Sequence, residues 1–442
     1  MLSDNQHYYP LSFQQEMTWK LSALGSNTPL WSIHSSMLLE GELNIDLFKC
    51  AVRKLLRRHE ILRAGFTTRN NKVVQFIRPL YAIDPYCSQF DVSYVSESKK
   101  NLIKTTSEKI VAKPFDLFTD HLFRIAIIKT SKYEQIIVLV MHHMISDETS
   151  IKIAWQDLSL LYNASNQNKA VSLLPLYKQY YDFAIWQHDI SNIEYYNRLE
   201  NYWHEKFTGD LPVLDLSRGH TRLLENCYNA QTQYGVIGEC VTKKLRSFCF
   251  RTKVSMFSVL LSMYYFLLSK FTSQSDIIIG TLFAGRNIYK EAQSMIGLFC
   301  NVLPMRFDFS KEIKMSELIR EIDRIVVMSY EKQDYSFAEN INMEWQTKTG
   351  SSLFSALFNK LNQYPDHFDF QGLQRKKWND VDLGLSFDAL SMTIYEYNSK
   401  LIIKIEYYMN LFETETIKEL IDEYQRLIEI IVGDISIQLK DI

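Results

Sequence analysis

The stretch IIVLVMHHMISDETS, residues 136–150, constrains this chain more than any other. Its apolar run, 136–141, is rich in Ile and Val and too short to span a bilayer, so it reads as a buried strand. His142 and His143 follow, then Asp147, then a helical pattern. Side chains alternate across a strand, so adjacent histidines face opposite ways. One enters the core as an anchored neighbour and the other stands in a cleft. Imidazole, with an ordinary pKa of about 6.5, can take a proton from a nucleophile near neutral pH. The segment therefore points to acyl transfer. The plainer reading is a pair of hydrogen-bonded core histidines. A metal site is not expected, because opposite-facing histidines do not share one ion easily and no further His or Cys cluster lies nearby.

The surrounding pattern is α/β. Residues 33–40 read as a strand ending at Gly41, and Asn44 or Asp46 can cap a helix with the stripe Leu47, Phe48, Ala51, Val52, Leu55 and Leu56. The basic residues Arg53, Lys54, Arg57 and Arg58 lie mainly off that stripe, as a solvated face. Strands at 64–68 and 73–77 flank the turn Asn70-Asn71, and 123–129 with 135–143 form a second hairpin. Ser146 or Asp147 can cap a helix running to about Ala164. The polar stretch 163–174 before Pro175 is the expected linker. Helices at 176–188 and 195–207, a loop at 211–229 and a second α/β region follow. That region holds helices at 254–271, 315–331 and 414–432 and strands at 276–281, 391–397 and 401–407.

With 442 residues, two lobes are the expectation, divided as 1–175 and 176–442. The formal net charge of -2 and the lack of a basic stripe argue against nucleic acid. No GxGxxG or phosphate loop appears. The six scattered cysteines form no CxxC pair and read as reduced, mostly buried thiols of a cytoplasmic protein. The polar start lacks a signal-peptide core. The uncharged run 254–269 falls short of the ~20 residues a spanning helix needs, so it reads as a core helix and no membrane partner is expected.

HHMISDE resembles the HHxxxDG signature of nonribosomal peptide synthetase condensation domains, shared with CoA-dependent acyltransferases of the chloramphenicol acetyltransferase fold. Further stretches resemble other motifs of that family, in its order. They are Pro10-Leu11-Ser12-Phe13-Gln14-Gln15-Glu16 with Trp19, Arg58-His59-Glu60-Ile61-Leu62-Arg63 with Phe66, and Ile279-Gly280-Thr281 with Ala284-Gly285-Arg286. Ile296-Gly297-Leu298-Phe299-Cys300-Asn301 with Leu303-Pro304-Met305-Arg306, and Gln333-Asp334 with Phe337, complete the set.

The resemblance implies two acetyltransferase-like lobes in a V-shaped pseudo-dimer with an inter-lobe tunnel. It implies a monomer that joins an acyl thioester, carried on the phosphopantetheine arm of an acyl or peptidyl carrier protein, to an amine, with no permanently bound cofactor. His143 matches the family's catalytic histidine, with His142 beside it as a structural neighbour. Asp147 matches an acid thought to hold the site by pairing with an arginine, for which Arg63 is the candidate. Glu148, Ser150, Gly280, Arg286 and Asn301 are the expected tunnel residues, with Asn301 a candidate for orienting substrate.

Four positions in three motifs depart from the family pattern: Glu148 replaces a glycine, Lys332 and Ser336 replace a His and a Pro, and His121 replaces a proline. Glu148 would bias the site toward a basic acceptor. Met1 close before the first motif, and an end soon after the last helix, lead to the expectation of a free-standing enzyme. The alternatives are a CoA-dependent acyltransferase, though the plant-type DFGWG motif is absent, an epimerisation domain, and a degenerate docking module.

Overall fold

The computed structural model describes residues 6–433 except 24–27, 82–85, 95–98, 172, 190–191, 208, 218–227, 288, 310–312, 336–352 and 362–367. In chain order the elements are β1 (Tyr8–Pro10), α1 (Phe13–Ala23), β2 (Ser32–Glu40), α2 (Ile45–Arg58), β3 (Ala64–Arg69), β4 (Lys72–Ile77), β5 (Cys87–Asp91), α3 (Lys99–Ala112), β6 (Phe123–Ser131), β7 (Glu134–His142), α4 (Glu148–Asn166) and α5 (Tyr180–Gln187). They continue with α6 (Ile193–Lys206), β8 (Ala230–Ile237), α7 (Glu239–Thr252), α8 (Met256–Thr272), β9 (Asp276–Phe283), β10 (Asn301–Asp308), α9 (Met315–Glu331), β11 (Ala356–Leu361), β12 (Gln374–Lys376), β13 (Leu390–Tyr397), β14 (Lys400–Tyr408) and α10 (Thr414–Gly433).

Local signals account for many of these boundaries. The Asn44 side chain accepts from Leu47 N and caps α2, whose Phe48, Ala51, Val52, Leu55 and Leu56 are fully buried. Asn70 and Asn71 adopt φ of 49° and 60°, the left-handed pair that a tight hairpin between β3 and β4 requires. The helix expected over 176–188 is shorter, because it starts only at Tyr180, where Gln179 and Asp182 form a reciprocal cap.

The chain forms two compact units. The first comprises Met1–Tyr195, Ala284–Cys300 and His367–Leu383; the second comprises Tyr196–Phe283, Asn301–Asp366 and Gly384–Ile442. The division therefore falls near Tyr195 rather than at 175, and the first unit takes back two later segments. The reason is packing: α5 inserts Tyr180 and Phe183 against Phe299, with ring centroids 5.0 and 4.8 Å apart. Of the expected linker 163–174, residues 163–166 are the last turn of α4, and the stretch falls inside this unit rather than between units.

The first unit holds a five-stranded sheet in the order β12-β2-β7-β6-β5 and a three-stranded sheet β1-β4-β3. Strand β7 is central, antiparallel to β2 and β6, and wholly buried from Gln135 to His142. A run buried on both faces is why 136–141 shows no alternation. Arg58 Nε and His59 Nε2 both meet Asp157 Oδ2, at 2.7 and 2.8 Å, and lock α2 onto α4. The second unit holds a six-stranded sheet, β10-β9-β11-β13-β14-β8. Its helix α8 is buried from Ser258 to Leu268. Among the described residues no single helix is long and apolar enough to cross a membrane.

The expectation of mostly buried cysteines is corrected for the described residues. Cys50 and Cys240 are exposed, Cys249 and Cys300 are intermediate, and only Cys87 is buried. None of these five is in a disulfide, and Cys227 lies outside the described residues.

Candidate active site

The paired histidines sit where β7 gives way to a single 3₁₀ turn, His143–Ile145. His142, the last strand residue, is 4% exposed and folds its ring over that turn. Its Nδ1 accepts from Met144 N at 3.0 Å, and its ring meets Phe115 edge-on at 6.0 Å. Burial, helped by the neighbouring His143 and Arg124, depresses its pKa to about 3. A protonated Nδ1 could not accept the Met144 bond, so geometry and electrostatics agree on a neutral ring. His142 is thus a structural cap. His143 starts the turn and keeps partial exposure. Burial lowers its pKa to about 4, while Asp147 and the Ser146 backbone act in the opposite sense. At physiological pH the imidazole is neutral, as a proton acceptor must be, but burial makes it a weaker base than a free histidine.

Asp147 is 1% exposed and caps α4. Ser150 N and Ser150 Oγ both donate to its Oδ1 at 2.8 Å, and Phe299 N donates to Oδ2 at 3.1 Å. Arg286 Nη2 reaches Oδ1 at 2.8 Å and Oδ2 at 3.0 Å. The expected Arg63–Asp147 ion pair is therefore corrected: the partner is Arg286. Arg63 turns to its own neighbourhood, donating to Leu56 O at 2.9 Å, to Arg78 O, and to Glu60 Oε1 at 3.3 Å. It lies in the 3₁₀ turn Glu60–Arg63, where carbonyls of the preceding helix are within reach. Arg286 is 2% exposed and lies over the Phe299 ring at 4.3 Å, also donating to Ala292 O and to Met295 O.

The loop carrying Arg286 depends on two glycines. Gly285 has φ +63°, and a Cβ there would stand 1.9 Å from Phe299 O. A Cβ on Gly297 would stand 2.0 Å from the Tyr180 ring. That close approach lets Ser150 Oγ bond both Gly297 O, at 2.8 Å, and Gly297 N, at 3.0 Å. Ser150 is fully buried, so it joins the Asp147–Arg286 centre rather than a surface open to substrate.

The remaining expected residues lie elsewhere. Glu148 is exposed at the first position of α4, and its charge is felt at Cys300. Gly280 is in β9 of the second unit, where a Cβ would meet the Phe354 ring at 2.6 Å. Asn301 opens β10 in the same unit, and its amide nitrogen donates to Gln333 O at 2.9 Å and to Tyr335 O. It anchors that backbone, and neither residue belongs to the Asp147 centre. Ser336 and Phe337 lie outside the described residues. No group of three or more His, Cys, Asp or Glu among the described residues could hold a metal ion. Sequence reasoning gave no role to Ser12, Gln15 or Tyr180, although the first two stand in a quoted motif. Their contacts span over a hundred residues, and spacing carries no signal of them.

The family model of the condensation domain matches residues 5–442. The chain belongs to the condensation-domain family. Condensation domains of nonribosomal peptide synthetases are acyltransferases that form amide bonds. Among its relatives, gramicidin S synthase 2 of Brevibacillus brevis is 30% identical over 442 residues, covering 99% of this chain and 10% of the relative. Surfactin synthase subunit 1 of Bacillus subtilis (strain 168) is 28% identical over 434 residues, covering 98% and 12%. The chain thus spans about a tenth of the length of the curated relatives it matches. In fold it is similar to the X-domain from teicoplanin biosynthesis, with TM-score 0.84 and 19% identity over 100% of this chain and 98% of that one. It is also similar to the first condensation domain of the calcium-dependent antibiotic synthetase, with TM-score 0.80 and 16% identity over 99% of both chains.

Proposed function

We propose that this condensation domain transfers an acyl group from the phosphopantetheine thioester of a carrier protein to an amine, with His143 handling the proton. One observation carries the reading. His143 is partly exposed on a turn whose next acid, Asp147, is consumed by Arg286, Ser150 and Phe299. That leaves the imidazole as the group of this pair suited to exchange a proton, and the carboxylate as its support. The amine lone pair adds to the thioester carbon, and the carbonyl π pair moves to oxygen. Collapse breaks the C–S bond. The ammonium proton passes to His143 and then to the departing sulfur, giving amide and thiol. Alignment of two reactants can supply ~7–11 kcal/mol of barrier lowering, against about 10²–10⁴-fold for proton transfer. Positioning is therefore the larger contribution.

The test is a mass-spectrometric screen of acyl thioesters, on carrier proteins and on CoA, against free and tethered amines. Carrier-dependent product is expected, and loss of about 10²–10⁴-fold in single-turnover rate for His143→Ala. Product from CoA thioesters alone would favour the CoA-dependent reading, and undiminished turnover by the variant would remove His143 from the chemistry.

The acceptor is read as a basic amine. Support comes from Glu148, an exposed carboxylate one residue past Asp147 and electrostatically coupled to Cys300 of the loop that reaches Asp147. Glu148 also favours the positive end of α4, a structural role that would leave selectivity untouched. Glu148→Gln should raise KM for a diamine acceptor selectively. Equal effects on diamine and neutral monoamine would show the carboxylate to be structural.

A further inference from the structure

We propose that Gln15 is a positioning residue for His143, closing a buried ring of hydrogen bonds around the turn that carries it. The inference rests on the reading of His143 given above. Gln15 stands in the first turn of α1 and is fully buried. Its Nε2 donates to Met144 O at 2.8 Å, across 129 residues. Met144 is the middle residue of the 3₁₀ turn, and its own N–H is held by His142 Nδ1. The peptide units on both sides of Met144 are thus pinned, one by His142 and one by Gln15, directly after His143.

The ring continues from the other end of the same side chain. Gln15 Oε1 accepts from Ser12 N at 3.0 Å and from Gln75 Nε2 at 3.2 Å. Ser12 Oγ lies 2.7 Å from Tyr180 Oη, which donates to Leu298 O at 2.6 Å. Since the tyrosine proton is committed to Leu298, Ser12 donates to Tyr180. The next residue, Phe299, donates its N–H to Asp147, the cap of α4 that follows the 3₁₀ turn and its closing residue Ser146. Met144, Gln15, Ser12, Tyr180, Leu298, Phe299 and Asp147 therefore form one circuit, closed by the backbone from Asp147 back to Met144, each residue at most 3% exposed.

The chemistry demands an amide at position 15. One planar group must accept from Ser12 N–H and donate to Met144 O. Glutamate keeps the acceptor and loses the donor; methionine keeps the volume and loses both. The plainer alternative is that Gln15 only fastens α1 to the body, as Gln187 does by accepting from Phe13 N at 3.0 Å. Gln187 is 3% exposed and lies outside the circuit, so it is a matched control.

The experiment compares wild type, Gln15→Met, Gln15→Glu and Gln187→Met by histidine-labelled NMR titration, amide exchange and Tm. In both Gln15 variants the His143 midpoint, held near 4 by burial with Asp147 and Ser146 opposing, should climb toward the ordinary 6.5 as the turn opens to water. The Ser146 amide, bonded to His143 O, should exchange about tenfold faster or more. Gln187→Met should lower Tm and leave both unchanged. With a substrate pair from the screen, Gln15→Met should lower kcat by about 10²-fold with the amine KM unmoved. A Tm loss like that of Gln187→Met, with the His143 midpoint and Ser146 exchange at wild-type values, would overturn the proposal. If Gln15→Met does not fold, Tyr180→Phe removes one hydroxyl from the circuit and should move the same readouts less far; no movement there would also overturn it. The NMR readouts need no turnover, so they report on the clamp even if His143 proves to have no part in the reaction.

Discussion

At the residue scale the two histidines differ in what holds them, and burial moves both below the ordinary imidazole range. His142 is neutral in the folded chain, with its pKa depressed from 6.5 to about 3, whereas the unfolded chain binds a proton near 6.5. Below 6.5 the unfolded state therefore binds more protons, so stability falls as pH drops toward 3. His143, depressed to about 4, adds a loss of the same sign. His142→Asn places an acceptor oxygen near the Nδ1 position and removes the titration. Its Tm should fall less steeply than wild type between pH 7 and 4, measured by calorimetry in constant ionic strength. An unchanged slope would show that His142 is not the group responsible. The histidine pair was legible in the sequence because the strand, the turn and Asp147 are contiguous. That His142 would bond Met144 rather than simply face inward was not, since it depends on the 3₁₀ turn replacing an extended residue at His143.

At the scale of elements, the loop between β9 and β10 returns to α4 and supplies Arg286. The sequence reading paired Asp147 with Arg63 and put Arg286 in the tunnel, and nothing in their spacing shows which one meets a carboxylate 139 residues from Arg286. Burial decides: Asp147 and Arg286 are 1% and 2% exposed and share two hydrogen bonds. Removing one partner of such a pair typically costs about 3–5 kcal/mol, because the other charge stays buried. Arg286→Met should approach that loss in urea unfolding. In a double-mutant cycle with Asp147→Asn it should couple by about 0.5–3 kcal/mol, while Arg63→Met, whose bonds go to Leu56, Arg78 and Glu60, should add within about 0.5 kcal/mol. Coupling of Arg63 rather than Arg286 to Asp147 would reverse the assignment. Capped helices and the Asn70-Asn71 hairpin were legible because their signals are local. Strand β11 was not: its parallel pairing to β9 and β13 joins distant stretches, and Asn359 and Lys360 blur its pattern.

At the scale of the molecule, composition marked a linker at 163–174, yet the first unit is discontinuous in sequence. Composition is a local property, whereas a compact unit is defined by where distant segments pack. Two such segments complete its core. Ala284–Cys300 brings Met295, Ile296, Leu298 and Phe299, and His367–Leu383 brings Phe368 and Phe370. Phe370 packs on Phe48 and Tyr162 at 6.3 and 5.7 Å, and β12 covers the edge of β2. At roughly 1.5–3 kcal/mol per buried side chain, these six residues contribute on the order of 10 kcal/mol. A whole domain is commonly stable by about 5–15 kcal/mol. Residues 1–195 alone would also leave Asp147 buried without Arg286. The fragment should therefore lack a cooperative thermal transition and a dispersed amide spectrum, although its strands and helices retain their local propensities. Residues 1–175, which lack α5 and Tyr180 as well, should behave no better. A sharp, reversible transition from residues 1–195 would mean that the N-terminal segment holds a sufficient core, and that the later segments add the Arg286 contact to a unit already folded.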